Sequence, residues 1–372
     1  MKKNSLFGKY FTIGVIFSFL GTGIVPSIPS EFPQEKNIIT VDDEPGDADF
    51  TSIKEAVNSS SPGDSIEVYS GTYLENGIRI TKENVSLLGI SHELGDGDDS
   101  GMPFIKSDGT ATVIKLIASN VTVSHFMIED SWSDPVYEYS SIQSGTYWPD
   151  KLYNITLSDC IISDCIISNA TIGILGSHMG YKNHTTIRNN HIRHCYRVGM
   201  YVSSVNILEP VYTIKGDFNV SGNVVTDCPI GIYVVSNRQN VSGNRIKRCE
   251  YGIFLYGEYN IIFGNDVDSC SVGVCDAYVP SDGNSITKNN FRNYSRGGVW
   301  WVRIPSFISM ILNILRKQGW KENYWDTWIG AGPKLIPGGF ALRTETLVPW
   351  FHFDWKPAKE PYDVPRNDLK NL

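Results

Sequence analysis

One spacing recurs along this chain and restricts its fold before any residue is read for chemistry. In the clearest copies an Asn is followed five residues later by Cys, and three residues after that by Gly with an aliphatic residue behind it: Asn223/Cys228/Gly231-Ile232, Asn244/Cys249/Gly252-Ile253 and Asn265/Cys270/Gly273-Val274. Asn190/Cys195/Gly199-Met200 carries one extra residue, Asn289/Tyr294/Gly297 replaces the Cys, and Cys165/Ala170/Gly173-Ile174 replaces both Asn and Cys. Successive Cys positions lie 33, 21 and 21 residues apart (195 to 228, 228 to 249, 249 to 270), about the contour of one three-sided coil of short strands. A unit of that length cannot bury a face alone, so its copies must stack into a solenoid.

Each copy opens on a β-branched strand start, as in Asn84-Val-Ser-Leu, Asn120-Val-Thr-Val, Asn154-Ile-Thr-Leu, Asn219-Val-Ser, Asn240-Val-Ser, Asn260-Ile-Ile and Asn284-Ser-Ile-Thr. Such strands bury their inward residues by pairing in parallel with the next rung. In the rung from Asn240 to Leu255, alternation directs Val241, Ile246, Cys249 and Ile253 inward and leaves Asn244 at a bend. A repeated bend Asn tolerates left-handed φ and hydrogen-bonds along the stack, so the Asn column reads as structural. The Gly before the third strand reads as a tight bend. Cys195, Cys228, Cys249 and Cys270 share one position and are expected to stack as small reduced core side chains; Cys160, Cys165 and Cys275 fall off that column and either pair or stay free.

The ends differ from the middle. Residues 1–37 begin Met1-Lys2-Lys3, add Lys9, and continue as an uncharged apolar run from Tyr10 to about Ile28. That pattern fits a signal peptide or an N-terminal membrane anchor, and either places the folded body outside the cytoplasm. A helix expected over Phe50 to Asn58, apolar at Phe50, Ile53, Ala56 and Val57, would cap the first coil of a β-helix spanning 38–302. Residues 303–372 read as an amphipathic helix over Pro305 to Lys317 and a Trp-rich irregular cap. A net charge of −8 argues against a nucleic-acid surface, and no cofactor is implied.

These motifs resemble the all-β, right-handed parallel β-helix proteins of the pectin-lyase-like superfamily. Phe50 to Gly89 is similar to the opening of pectin methylesterases, and the Asn/Cys/Gly-Ile repeats resemble the NosD-type group, also described as carbohydrate-binding and sugar-hydrolase repeats. Asn323-Tyr-Trp-Asp and the stretch from Phe353 to Tyr362 are similar to the tails of NosD-like surface proteins of archaeal type. The resemblance covers roughly residues 38 to 365 and is specific for fold rather than activity, because this fold hosts lyases, esterases, hydrolases, epimerases and plain binding proteins. The polygalacturonase, alginate-epimerase and pectin-methylesterase signatures are missing: Asp134-Pro135 continues as Val136-Tyr137, Asp98-Asp99 sits in a Gly-rich loop, and Asp42-Asp43 precedes the helix.

The strongest functional signal is a column of outward aromatics. On the Gly-aliphatic strand the next residue is Tyr201, Tyr233, Phe254, Cys275 and Trp300 in successive rungs, a platform on which sugar rings could lie. Insertions Trp132 to Lys151, Ser203 to Phe218 and Asp276 to Gly283 follow the same strand and bring Asp134, Glu138, Trp148 and Asp276 into consideration as binding residues, or as a carboxylate pair for glycosidic chemistry. The NosD resemblance also implies copper, and His178-Met179, His184, His191, His194 and Cys195 cluster in sequence. Cys195 should point inward and His194 outward, so no metal is assigned there. Asp96-Gly-Asp98-Asp99-Ser100-Gly101 resembles part of a calcium loop but lacks a distal Glu, and reads as an acidic turn. Asn-x-Ser/Thr triplets at Asn58, Asn84, Asn120, Asn219 and Asn240 would accept glycans on an exported chain. Two readings result: a non-catalytic surface protein that binds polysaccharide or another envelope glycan, with or without membrane attachment through residues 1–37, and a polysaccharide hydrolase or lyase with its site beside the third strand.

Overall fold

A rung of this protein is three short strands separated by two sharp corners, and the corners explain why the strands are short. The computed structural model describes residues 36–95, 97–131, 140–145, 157–178, 184–204, 217–277, 283–304, 319–342 and 347–365. In the rung that starts at Asn240, the strands are Asn240–Ser242, Arg245–Lys247 and Tyr251–Leu255. Gly243 and Arg248, at φ 64° and 52°, turn the chain between them. The same two left-handed positions recur at Asn189 and His194, at Gly222 and Asp227, and at Gly264 and Ser269. The left-handed residue is thus the one before the ladder Asn and the one before the Cys, and the Asn itself is not strained. This corrects the expectation that the Asn adopts that conformation.

Stacked rungs give three sheets of eleven, ten and eleven strands among the described residues. Every pairing is parallel except the last, between Lys334–Leu342 and Leu347–Asp354. This is a parallel β-helix, and parallel crossovers of this kind are right-handed. Val241, Ile246 and Ile253 are wholly buried and Cys249 is nearly so, as alternation predicted. The seven cysteines are all buried and free of disulfides. The Gly before each inward aliphatic has a different reason from the expected bend: a Cβ on Gly231 would lie 2.6 Å from the Gly252 carbonyl oxygen and 2.5 Å from Ile246 Cγ2, and one on Gly252 would meet the Gly273 oxygen at 2.6 Å. Adjacent rungs approach too closely there for any side chain.

The Asn column is a continuous amide ladder. Asn190, Asn223, Asn244, Asn265 and Asn289 each donate from backbone N and from Nδ2 to Oδ1 of the next Asn, at 2.9–3.0 Å. Their Nδ2 groups also reach a carbonyl of the preceding rung, for example Val220 O from Asn244 at 2.9 Å. Asn323 closes the series and is itself held by Asp354.

Both ends of the coil are closed. A helix, Ile53–Ser59, buries Ile53, Ala56 and Val57 against the first strands. Ser52 Oγ accepts from Glu55 N, and the Glu75 carboxylate accepts from Ile53 N and Lys54 N, which satisfies the free amides of its first turn. It starts later than the apolar pattern suggested, because Phe50 pairs with Val41 as an isolated bridge. At the other end the coil runs beyond residue 302: Gly319–Lys321, Tyr324–Trp325 and Lys334–Leu342 each extend one sheet. Here Trp320 stacks in register on Ile286 and Trp325 on Phe291, so the last coil is filled by indoles, keeping the ladder Asn323 and losing the Cys. The expected helix from Pro305 to Lys317 lies outside the described residues, as does the apolar run within 1–35. Among the described residues no helix is long and apolar enough to cross a membrane.

Candidate functional site

Outward side chains of the third sheet are fixed by the parallel register. One column runs Arg79, Lys115, Gln143, Leu175, Tyr201, Tyr233, Phe254 and Cys275, and Val299 is next in register. Tyr201, Tyr233 and Phe254 are half-buried and meet edge to face, with centroids 5.1 Å apart at each step. Such pairs add roughly 0.5–1.5 kcal/mol each beyond their buried area. Burial pushes the Tyr233 phenol up from its ordinary value, with lesser contributions from Tyr256 and Cys275. Among the described residues, none of the tail from 355 to 365 lines this groove. The tail crosses the second sheet, where Asn290 exchanges hydrogen bonds with Tyr362 at 2.8 Å and Arg245 donates to the Val364 carbonyl.

The column forms one wall of a groove of about 660 Å³, whose other walls come from the corner between the second and third sheets. Tyr196, Arg197, Glu250 and Tyr251 lie there, with Pro229 and Ile230 between them. Tyr196 is 50% exposed, and Tyr251 stacks edge to face on Phe254 at 5.4 Å. These residues were missed by the sequence reading, although a signal existed: they occupy the interval between Cys and Gly in each repeat, as in Cys195-Tyr-Arg-Val-Gly and Cys249-Glu-Tyr-Gly. An apolar, aromatic wall with one cation and one carboxylate at the rim suits a ring with apolar faces and polar edges. A second hollow of about 600 Å³ follows the other corner, bordered by Tyr362 and Asp363 of the tail, with Arg188, Phe263 and Lys288 among its lining residues.

Two expected site residues are corrected. Trp300 pairs with Asp276, not with Cys275, because Gly298 takes the register position opposite Val274 and Val299 the one opposite Cys275. Asp276 follows Leu255 in an inward column and is completely buried, so it is no groove residue. Its carboxylate accepts from Asn284 Nδ2 at 3.2 and 3.3 Å, and burial pushes it up to about 7 against that hydrogen bond. Asp134, Glu138 and Trp148 lie outside the described residues. The stretch that seemed one insertion from Trp132 to Lys151 contains a buried strand of the third sheet, Ser140–Gly145.

The His and Cys cluster does not converge. Cys195 is 3% exposed in the core column and accepts no outer partner, whereas His194, one residue earlier, faces Asp227 at the surface at 3.9 Å. His191 sits on a strand of the second sheet, held below its usual value by burial and by Arg193. His184 lies on the first sheet. Met179 and the His178 side chain are outside the described residues. The described side chains therefore do not fit a copper centre at this cluster.

A family model described as periplasmic copper-binding protein (NosD) matches residues 57–330. This chain belongs to the NosD family. No curated protein matches it in sequence. Solved structures similar to this chain include the complex of XylC with xylose, at 11% identity and TM-score 0.40 over 72% of this chain and 75% of that one. A mutant of the family 6 alginate lyase AlyGC is 10% identical, with TM-score 0.35 over 89% of this chain and 58% of its own. A mannuronic acid specific family 6 polysaccharide lyase from human gut microbiota is 11% identical, with TM-score 0.32 over 78% and 69%.

Proposed function

We propose that this NosD-family β-helix is an extracytoplasmic protein that binds a polysaccharide or envelope glycan along the third sheet. The observation that carries the reading is the groove of about 660 Å³ in which Tyr201 and Tyr233 stand in register beside Tyr196 and Tyr251. Rings spaced by one rung, about 4.8 Å, and packed edge to face present an apolar strip of alternating faces and edges to a chain of sugars. Arg197 and Glu250 at its edge supply hydrogen bonds to hydroxyls or to a uronate. The family's periplasmic description and the charged, then apolar, N-terminus support export.

The test is a panel of acidic and neutral polysaccharides titrated against the full chain, read by intrinsic fluorescence for binding and by reducing ends and unsaturated products for cleavage. Saturable binding without product, weakened about tenfold or more in Tyr233→Ala, supports the binding reading. The Arg197 and Glu250 pair in one groove favours a second reading, a lyase or hydrolase. Product formation that disappears in Arg197→Ala or Glu250→Gln would establish it in place of the first.

A further inference from the structure

We propose that the corner after the first and third strands of the first sheet holds a calcium-class divalent cation between Asp42, Asp43, Glu44, Glu93 and Asp99. Two segments build this corner. Asp42 to Glu44 leave the strand Ile38–Val41, and Glu93 to Asp99 follow the strand Ser86–Gly89, with Ser65–Val68 paired between the two. The bridge between His92 and Ser100 folds the second segment back, and Ser70 ties it down through its N to the His92 carbonyl and its Oγ to the Gly101 carbonyl. Asp43 is set by Thr72 N, which donates to its Oδ2 at 3.0 Å; a side chain at Gly71 would collide with the same carboxylate.

The independent observation is Asp42. It is 0% exposed, and neither of its oxygens has a hydrogen-bond partner. Asp43 Oδ1, Glu44 Oε2 and both oxygens of Glu93 are likewise buried without one. A buried carboxylate with no donor is costly, and surrounding it with further carboxylates raises the cost unless a cation sits among them. The geometry offers that cation two overlapping triads of ligands. Donor oxygens of Asp42, Asp43 and Glu44 lie within 4.8 Å of one another, as do those of Glu44, Glu93 and Asp99. Oxygens on opposite sides of one calcium ion are separated by about 5 Å at most. The donors are all hard oxygens, which suits calcium over copper or zinc. Glu44 belongs to both triads, so it would join the segment after the first strand to the loop after the third. The acidic turn read from Asp98 and Asp99 thus acquires partners that lie some fifty residues earlier in the chain.

The experiment is thermal unfolding of the full chain in EDTA, in 1 mM calcium chloride and in 1 mM magnesium chloride, with terbium luminescence as a direct readout. Tyr73, whose hydroxyl donates to the Val41 carbonyl beside Asp42, is placed to sensitise the lanthanide. The expected result is a rise in Tm of about 5 °C in calcium over EDTA, a smaller one in magnesium, and a terbium signal displaced by calcium. Asp42→Asn should remove the calcium response and the luminescence while melting above the native chain in EDTA, because it relieves the repulsion. A variant that merely misfolds would melt lower. Asp108→Asn, an exposed carboxylate elsewhere, should respond to calcium like the native chain. A native chain whose Tm is the same in EDTA and calcium and gives no terbium signal would overturn the proposal, as would an undiminished calcium response in Asp42→Asn.

Discussion

At the C-terminal end of the coil Asp354 is buried among donors, whereas at the N-terminal end Asp42 is buried among acceptors. Asp354 accepts from Glu322 N and Lys356 N at Oδ1, and from Asn323 N, Asn323 Nδ2 and Trp325 Nε1 at Oδ2, all between 2.9 and 3.1 Å. It stands where the next ladder Asn would be and supplies the acceptor that the last rung requires. Asp42 has no donor, and burial, then Glu93, Glu44 and Asp43, push it up to about 7. Zero exposure is common to both, so burial alone says nothing of a carboxylate's task. The partners decide: donors make it a structural cap, and fellow carboxylates make it a place for a cation.

The largest expected effect breaks the satisfied end. Asp354→Ala leaves Asn323 N and Trp325 Nε1 buried without an acceptor and removes one of two partners from Asn323 Nδ2, and should cost about 3–5 kcal/mol in denaturant unfolding. Asp354→Asn should recover part of that loss. Next, Asn244→Ala in the middle of the ladder leaves Asn223 N without its acceptor and removes one partner from Asn223 Nδ2 and from the Val220 carbonyl, and should cost about 2–3 kcal/mol. A double cycle with Asn265→Ala should show strong coupling, since the two amides share a bond of 3.0 Å.

Asp276 sharpens the comparison because it lies between the two cases, buried with a single amide partner. Its folded value, about 7, is above its unfolded value, so its stabilising contribution is present below about pH 4 and lost as pH rises through 7. Asp276→Asn should therefore gain on the native chain between pH 5 and pH 8, by roughly 2–3 kcal/mol. Equal gains at both pH values would refute that account. The smallest effect is expected at the surface, where Arg248 donates to both oxygens of Asp227 at 2.7 Å and holds that carboxyl down at about 2. Arg248→Ala should change stability by less than about 1 kcal/mol, with any loss appearing above pH 4 and vanishing as pH falls toward 2.

How much was legible follows from the range of each interaction. The spacing of Asn244, Cys249 and Gly252 reports neighbours one coil away, and every coil repeats the same neighbours, so stacking, core column and amide ladder were readable. The aromatic column was readable up to Phe254 for the same reason. It failed at Trp300 because Gly298 shifted the alternation by one residue, a change invisible without the partner strand. Tyr196, Arg197, Glu250 and Tyr251 were overlooked because a corner has no period, and their common groove exists only after adjacent corners stack.

The sequence by itself determined the coil: a period of 21 residues, strands too short to stand alone, and a small residue wherever rungs touch leave few alternatives to a parallel stack. Tertiary structure alone decided which polar groups meet. Asp276 looked like a loop acid and became an inward one, Asp354 became the last acceptor of the ladder, and Asp42 found Glu93 across two rungs. Period is a property of neighbouring residues and survives in one dimension. Convergence of charge depends on where separate loops cross in space, and the chain does not spell that out locally.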